Sequence, residues 1–160
     1  MKIHKFEKIW LTFGTATLLF FLIVIGVSAF YLGNQPPSCL LTIDPEKVEQ
    51  TAPFNQPGLK KIGENEYRLT VVASAFNYDV GTDNKIVQVP KGSTVHFYVT
   101  TKDVVHGFGL AGTNVNMMLE PGYISTYTNT FRKPGTYTLL CNEYCGVGHH
   151  LMAATIEVTG

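Results

Sequence analysis

The sequence predicts an all-β Greek-key sandwich carried behind a single N-terminal transmembrane helix. Three observations point there. An uncharged apolar run fills the first part of the 160-residue chain. The remainder breaks into short β-prone runs separated by Gly and Pro. No internal repeat or β-α alternation offers support for a nucleotide-binding α/β fold.

The first element is the anchor. From Ile9 to Leu32 there is no charged side chain, and Leu18 to Val27 is almost purely hydrocarbon. At a rise of about 1.5 Å per residue, such a run crosses a hydrocarbon layer of about 30 Å. A cleaved signal peptide would have a shorter apolar region and an Ala-x-Ala-like site before a polar start. The run therefore reads as an uncleaved transmembrane helix. Lys2, Lys5 and Lys8 precede it and no Lys or Arg follows until Lys47. By the positive-inside bias the N-terminus is cytoplasmic and the rest extracytoplasmic.

Residues 34–66 come next, with Pro36, Pro37, Pro45, Pro53 and Pro57 among Gly and Asn. Proline obstructs long helices and central strands, so this stretch reads as a connector wrapped on the domain surface. The expected organisation is residues 1–33 as tip and membrane helix, 34–66 as connector and 67–160 as β-domain. Strands are expected over Tyr67–Phe76, Lys85–Val89, Ser93–Thr100, Tyr123–Thr130, Thr136–Leu140 and Ala153–Thr159. In the third of these, Val95, Phe97 and Val99 alternate with Thr94, His96, Tyr98 and Thr100, the two-residue period of a half-buried strand. A formal net charge of zero argues against a polyanion-binding surface, and no nucleic-acid partner is expected.

The chemistry concentrates between the last two expected strands, in Cys141-Asn-Glu-Tyr-Cys-Gly-Val-Gly-His-His-Leu-Met152. Its spacing is Cys-x3-Cys-x3-His-x2-Met, with Gly146 and Gly148 letting the backbone fold tightly around one point. Sulfur ligands combined with imidazole select copper, with zinc second. A single-copper blue site uses one Cys, whereas two thiolates can bridge two metal ions, each of which then needs a terminal ligand. His149 can supply one. His106, in Val104-Val-His-Gly-Phe-Gly-Leu110, is the candidate for the other, because Gly107 and Gly109 let the backbone approach the loop. The plain alternative is a short disulfide between Cys141 and Cys145, which leaves the spacings of His149 and Met152 to coincidence.

Taken together, Cys-x-Glu-x-Cys-x3-His-x2-Met and the upstream Val-His-Gly-Phe resemble the binuclear CuA site of cytochrome c oxidase subunit II. The ba3-type (B-family) heme-copper oxidases are most similar, being short, with one membrane helix and an end soon after the copper loop. The resemblance extends to Gly112-Thr-Asn-Val-Asn116, Pro121-Gly, Thr130-Phe-Arg-Lys-Pro-Gly135 and Glu7-Lys-x-Trp-Leu-x-Phe13. It implies a cupredoxin-like sandwich and a binuclear copper centre. Cys141 and Cys145 would be the bridging thiolates, His106 and His149 would bind one copper each, Met152 would be a weak axial ligand, and the Glu143 carbonyl would serve the second copper. In larger oxidases a Glu at this position also helps hold magnesium at the subunit I junction, while ba3-type relatives tend to have Gln, so Glu143 departs from the subfamily.

The resemblance further implies an electron-entry subunit. Cytochrome c or a similar small redox protein would deliver electrons, and subunit I, holding the hemes and CuB, would reduce oxygen and pump protons. No turnover is expected of this chain alone. Other classes remain: a CuA subunit of a nitric oxide reductase, or a membrane-tethered copper-binding or assembly protein. Phe76 and Tyr78 match positions near the copper and the docking face, and are candidates for electron entry. Glu7 matches a residue at the proton-channel mouth, although a carboxylate is also common at a helix start. His150 is expected to point away from the metal, His96 to be an ordinary strand residue, His4 to be interfacial, and Met117 and Met118 to pack. Cys39 is expected to be a shielded thiol without a role.

Overall fold

The computed structural model describes residues 3–32 and 38–160, of which 38–40 are described in backbone only. Two compact units divide the chain at Pro36/Pro37. The first is the helix α1, Lys5–Gly26, whose last turn continues as a π-helical stretch over Val27–Tyr31. His4 caps its start: the ring accepts from the Phe6 amide, while the His4 amide donates to Glu7 Oε2 at 3.4 Å. Not one residue of α1 is buried. The helix is long and apolar enough to cross a membrane.

The second unit folds into two sheets. Its strands are β1 Ser38–Thr42, β2 Gly58–Gly63, β3 Glu66–Ser74, β4 Asn77–Asp79, β5 Ile86–Pro90, β6 Thr94–Thr101, β7 His106–Leu110, β8 Asn116–Leu119, β9 Tyr123–Thr130, β10 Gly135–Leu140 and β11 Ala153–Thr159. One sheet has the order β1-β9-β6-β3-β2, with β4 also paired to β3. The other runs β5-β11-β10-β7-β8. The chain changes sheet between β4 and β5, β5 and β6, β6 and β7, β8 and β9, and β9 and β10. That is the Greek-key sandwich the sequence predicts.

The alternation read in β6 is what closes the core. Val95, Phe97 and Val99 point inward and are fully buried, and across the sandwich Phe108, Leu110, Leu139 and Ile156 meet them. Phe97 packs edge-on against Phe108 with ring centroids 5.7 Å apart. Each such side chain contributes about 1.5–3 kcal/mol through burial. Phe108 in turn meets the Tyr78 ring edge-on at 5.8 Å.

Two features differ from the local reading. The segment read as a surface connector supplies β1 and β2 and a short 3-10 helix, Pro45–Gln50. Two of its prolines stand at the boundaries of these elements: Pro45 opens the 3-10 helix, and Pro57 immediately precedes β2. There proline costs no ladder hydrogen bond. This segment lays Ile43, Val48 and Phe54 against Val72 as a second, smaller core. A strand also stands where none was expected: His106 is the first residue of β7, paired with Leu119 of β8. The glycines of His-Gly-Phe-Gly-Leu hide this strand from a propensity reading. Cys39 lies outside the residues whose side chains are described.

Candidate metal centre

The loop 141–152 is held by the strands on either side of it. β10 and β11 pair antiparallel from Gly135/Val158 up to Leu140/Ala153, and the Cys141 amide donates to the Met152 carbonyl at 3.3 Å, closing the neck. Within the loop, the His149 amide donates to Gly146 O at 3.1 Å and a single 3-10 turn covers His149–Leu151. This tight path turns four side chains toward one point.

There the two sulfurs Cys141 Sγ and Cys145 Sγ lie 3.7 Å apart, and both cysteines are free and buried. A disulfide needs about 2.05 Å between sulfurs. His149 Nδ1 is 3.6 Å from Cys145 Sγ, and Met152 Sδ is 3.9 Å from the same sulfur. The Glu143 carbonyl lies 3.1 Å from Cys141 Sγ. From outside the loop comes His106: one ring nitrogen and the two cysteine sulfurs all lie within 4.8 Å of one another. Each sequence-predicted ligand is therefore drawn into one cluster. The Glu143 side chain is exposed, and its carboxylate joins no group of three metal-binding side chains among the described residues.

His106 reaches the loop because β7 pairs with β10 through Leu110/Leu139 and Gly109/Leu140. The approach depends on Gly107. A Cβ at that position would lie 2.6 Å from the Asn142 amide nitrogen and closer still to the Asn142 side-chain oxygen. The Gly107 amide instead faces Cys141 Sγ at 3.4 Å. Asn142 is pinned by its own amide to Asn116 Oδ1 at 2.9 Å. Beneath, the buried Tyr78 hydroxyl donates to the Gly107 carbonyl. Burial, then the neighbouring Cys141 thiol, pushes Tyr78 far above the ordinary phenol value. Tyr78 is thus a bolt under β7, with only 1 % of its surface exposed.

Phe76 takes another position, lying across the loop's two glycines. A Cβ on Gly148 would fall 2.6 Å from the Phe76 ring carbon Cγ, and one on Gly146 would fall 3.0 Å from Cε1. Beyond the loop, Tyr144, Val147 and Leu151 are 80 %, 86 % and 70 % exposed. His150 is exposed, and His96 bonds Thr128 Oγ1 at 3.0 Å on the opposite sheet. Met117 is buried, whereas Met118 is 49 % exposed because β8 alternates its faces.

The electrostatics suit a bound cation. Burial, then the hydrogen bond and charge of Cys141, push the Cys145 thiol up to about 11. Two thiolates this close would repel each other in a buried place, and a metal ion removes that cost while displacing the protons. His106 Nδ1 is buried with no hydrogen-bond partner among the described residues. An orphaned imidazole nitrogen beside two thiols is the donor set of a soft or borderline metal. The residues fit copper.

Sequence reasoning missed Asp103, Asn142 and the bolting role of Tyr78. Asp103 carried a readable signal, an acid three residues ahead of a candidate histidine ligand. The other two depend on strand pairing and have no local signature.

Comparison with known proteins follows the same lines. The family described as cytochrome C oxidase subunit II, periplasmic domain, matches residues 66–159. A cytochrome c oxidase subunit 2 from Thermus thermophilus is 38 % identical over 165 aligned residues, covering 98 % of this chain and 96 % of that protein. A second Thermus thermophilus subunit 2 is 40 % identical, covering 79 % of this chain and 92 % of its own length. Among solved structures, a chain of a heme-copper terminal oxidase dimer superposes with a TM-score of 0.82 at 35 % identity, covering 97 % of this chain and 100 % of that one.

Proposed function

The chain belongs to the cytochrome c oxidase subunit II family, and from that premise we propose that it is the electron-entry subunit of a ba3-type oxidase. In this reading a small redox protein, cytochrome c or its like, docks on the domain carrying loop 141–152 and delivers electrons one at a time. The membrane-embedded subunit I, with its hemes and CuB, receives them for reduction of oxygen coupled to proton pumping. α1 anchors the chain with its N-terminus in the cytoplasm, which sets the β-domain on the periplasmic side.

The observation that carries this reading is the convergence of His106 and His149 on the Cys141/Cys145 pair, with Met152 and the Glu143 carbonyl beside it. A copper pair bound there would supply a one-electron store shared between two metals. This chain's residues do the rest. Cys141 and Cys145 offer thiolates on a short fixed loop, His106 comes from a strand buried in the sandwich, and Phe76 covers the loop's glycines. Side chains held this firmly change little between redox states, so little energy is spent on rearrangement. Tyr144 stands over the His149 ring with centroids 6.0 Å apart, and with Val147 and Leu151 it gives the loop an exposed apolar rim for a docking partner. Phe76, under that rim, lies on the way in. Glu7, which accepts from the His4 amide at the start of α1, is also a candidate for proton collection at the membrane entrance. Magnesium at the junction with subunit I would draw on Glu143 together with ligands from that partner.

The test is copper loading of the full chain in detergent. Two coppers per chain, with an electron paramagnetic resonance hyperfine pattern of one electron shared over two nuclei, is the expected result. One copper with a single-nucleus pattern overturns it. Comparing oxygen and nitric oxide reduction by the assembled complex separates an oxidase from a nitric oxide reductase.

A further inference from the structure

Three residues before His106, Asp103 sits in the turn that joins β6 to β7, and its two carboxylate oxygens are divided between two tasks. Oδ1 accepts from His106 Nε2 at 2.8 Å. Oδ2 accepts from the Ala75 amide at 2.6 Å. Ala75 is the residue before Phe76, whose ring lies across Gly146 and Gly148 of the metal loop. One side chain therefore ties together the strand that carries His106 and the turn that carries the cover of the loop.

The carboxylate is itself held firmly. The Val104 amide donates to Oδ1 at 2.7 Å and the Thr101 hydroxyl does so at 3.1 Å, while that hydroxyl also reaches the Val104 carbonyl at 3.0 Å. Facing an oxygen that already accepts from the Val104 amide, His106 Nε2 is the ring nitrogen committed to the carboxylate, as its donor. The other ring nitrogen, Nδ1, is buried with no hydrogen-bond partner among the described residues and is the one left for a metal.

We propose that Asp103 is the positioning residue of the centre: it fixes His106 in the tautomer and rotation that presents Nδ1 to the metal, and through Ala75 it holds Phe76 over the ligand loop. The proposal deepens the copper reading above and rests on it for the metal, though not for the tautomer. A carboxylate behind an imidazole makes the ligating nitrogen a better donor and stabilises the more oxidised metal. Both the donor strength and the nearby negative charge lower the reduction potential, and both are lost together when Asp103 is neutralised.

The experiment compares the full-length chain with Asp103→Asn, Asp103→Glu and Thr101→Val. In the metal-free proteins, imidazole nitrogen-15 shifts should show His106 as the Nε2–H form in the wild type and as a mixture in Asp103→Asn. After copper loading, Asp103→Asn should still bind two coppers, with affinity lowered about 10–100-fold and a raised reduction potential. Asp103→Glu keeps the charge but shifts the oxygens, so it should recover part of the potential. Thr101→Val, which removes one hydrogen bond to Oδ1, should move both readouts in the direction of Asp103→Asn and by less. An unchanged tautomer and potential in Asp103→Asn overturns the proposal. Should Asp103→Asn fail to fold, a wild-type tautomer and potential in Asp103→Glu does the same, because altered oxygen positions must register. If the metal-free shifts behave as expected but the wild type loads one copper, the positioning role stands and the two-copper reading falls.

Discussion

Two buried clusters in the β-domain are built to opposite specifications. The small one, Ile43, Val48, Phe54 and Val72, is pure hydrocarbon, and nothing in it requires a partner from outside. The other gathers His106, Cys141, Cys145 and Met152 at the edge of the main core, where an imidazole nitrogen has no hydrogen-bond partner among the described residues and two thiols face each other. The first lowers the free energy of folding by leaving water. The second keeps polar groups buried and incompletely satisfied, which costs stability until a metal arrives. A fold can thus carry its function where its packing is least self-sufficient.

The largest expected effect breaks the metal cluster alone. Cys141→Ser should abolish two-copper loading and its shared hyperfine pattern, while the metal-free chain, which has no disulfide to lose at that site, should keep a far-ultraviolet circular dichroism spectrum like the wild type's. Gly107→Ala comes next. Its added Cβ collides with Asn142 and the loop backbone, so copper affinity should fall by at least about tenfold, in the range seen for supporting residues of metal sites, as read by competition with a chelator.

Phe54→Ala reverses the comparison. It should lower unfolding free energy by about 3–5 kcal/mol in urea, yet leave the spectrum of the copper-loaded chain unchanged. A shifted spectrum would mean that the two clusters are not independent.

Smaller effects should appear with pH in the metal-free chain. Cys145 titrates above its unfolded value, so its contribution to stability is fully present below about 9 and is lost as pH rises through about 11. The midpoint in urea should fall over that window, and Cys145→Ala should flatten the fall. The smallest expected change is Met152→Leu, close in volume and apolar, which should keep both coppers and move the reduction potential only modestly.

How much of this was legible beforehand varies by element. β9 and β11 begin and end at the bounds of the β-prone runs read in the sequence, and β11 alternates buried with half-buried residues. The apolar helix was equally plain. β7 was not, since Gly107 and Gly109 remove the side chains that make alternation visible. β2 was obscured by the prolines before it, of which Pro57 turns out to stand immediately ahead of the strand. The ligand loop was readable because four of its donors sit within twelve residues of sequence, but Asp103 passed unnoticed for want of a view of its two hydrogen bonds.

The sequence by itself determined which residues form the uncharged apolar helix, which strand alternates, and which loop concentrates sulfur and imidazole, because each of these is a property of neighbours along the chain. Only the tertiary structure decided that His106 meets that loop, that Gly107 must lack a side chain, and that Asp103 holds both His106 and the turn bearing Phe76. All but the Asp103–His106 pair join distant parts of the chain, 28 positions apart for Asp103 and Ala75 and 34 for Gly107 and Cys141, and they exist only once the strands pair, since the closure of such distant contacts is driven by the cooperative burial of the whole core rather than by any local preference.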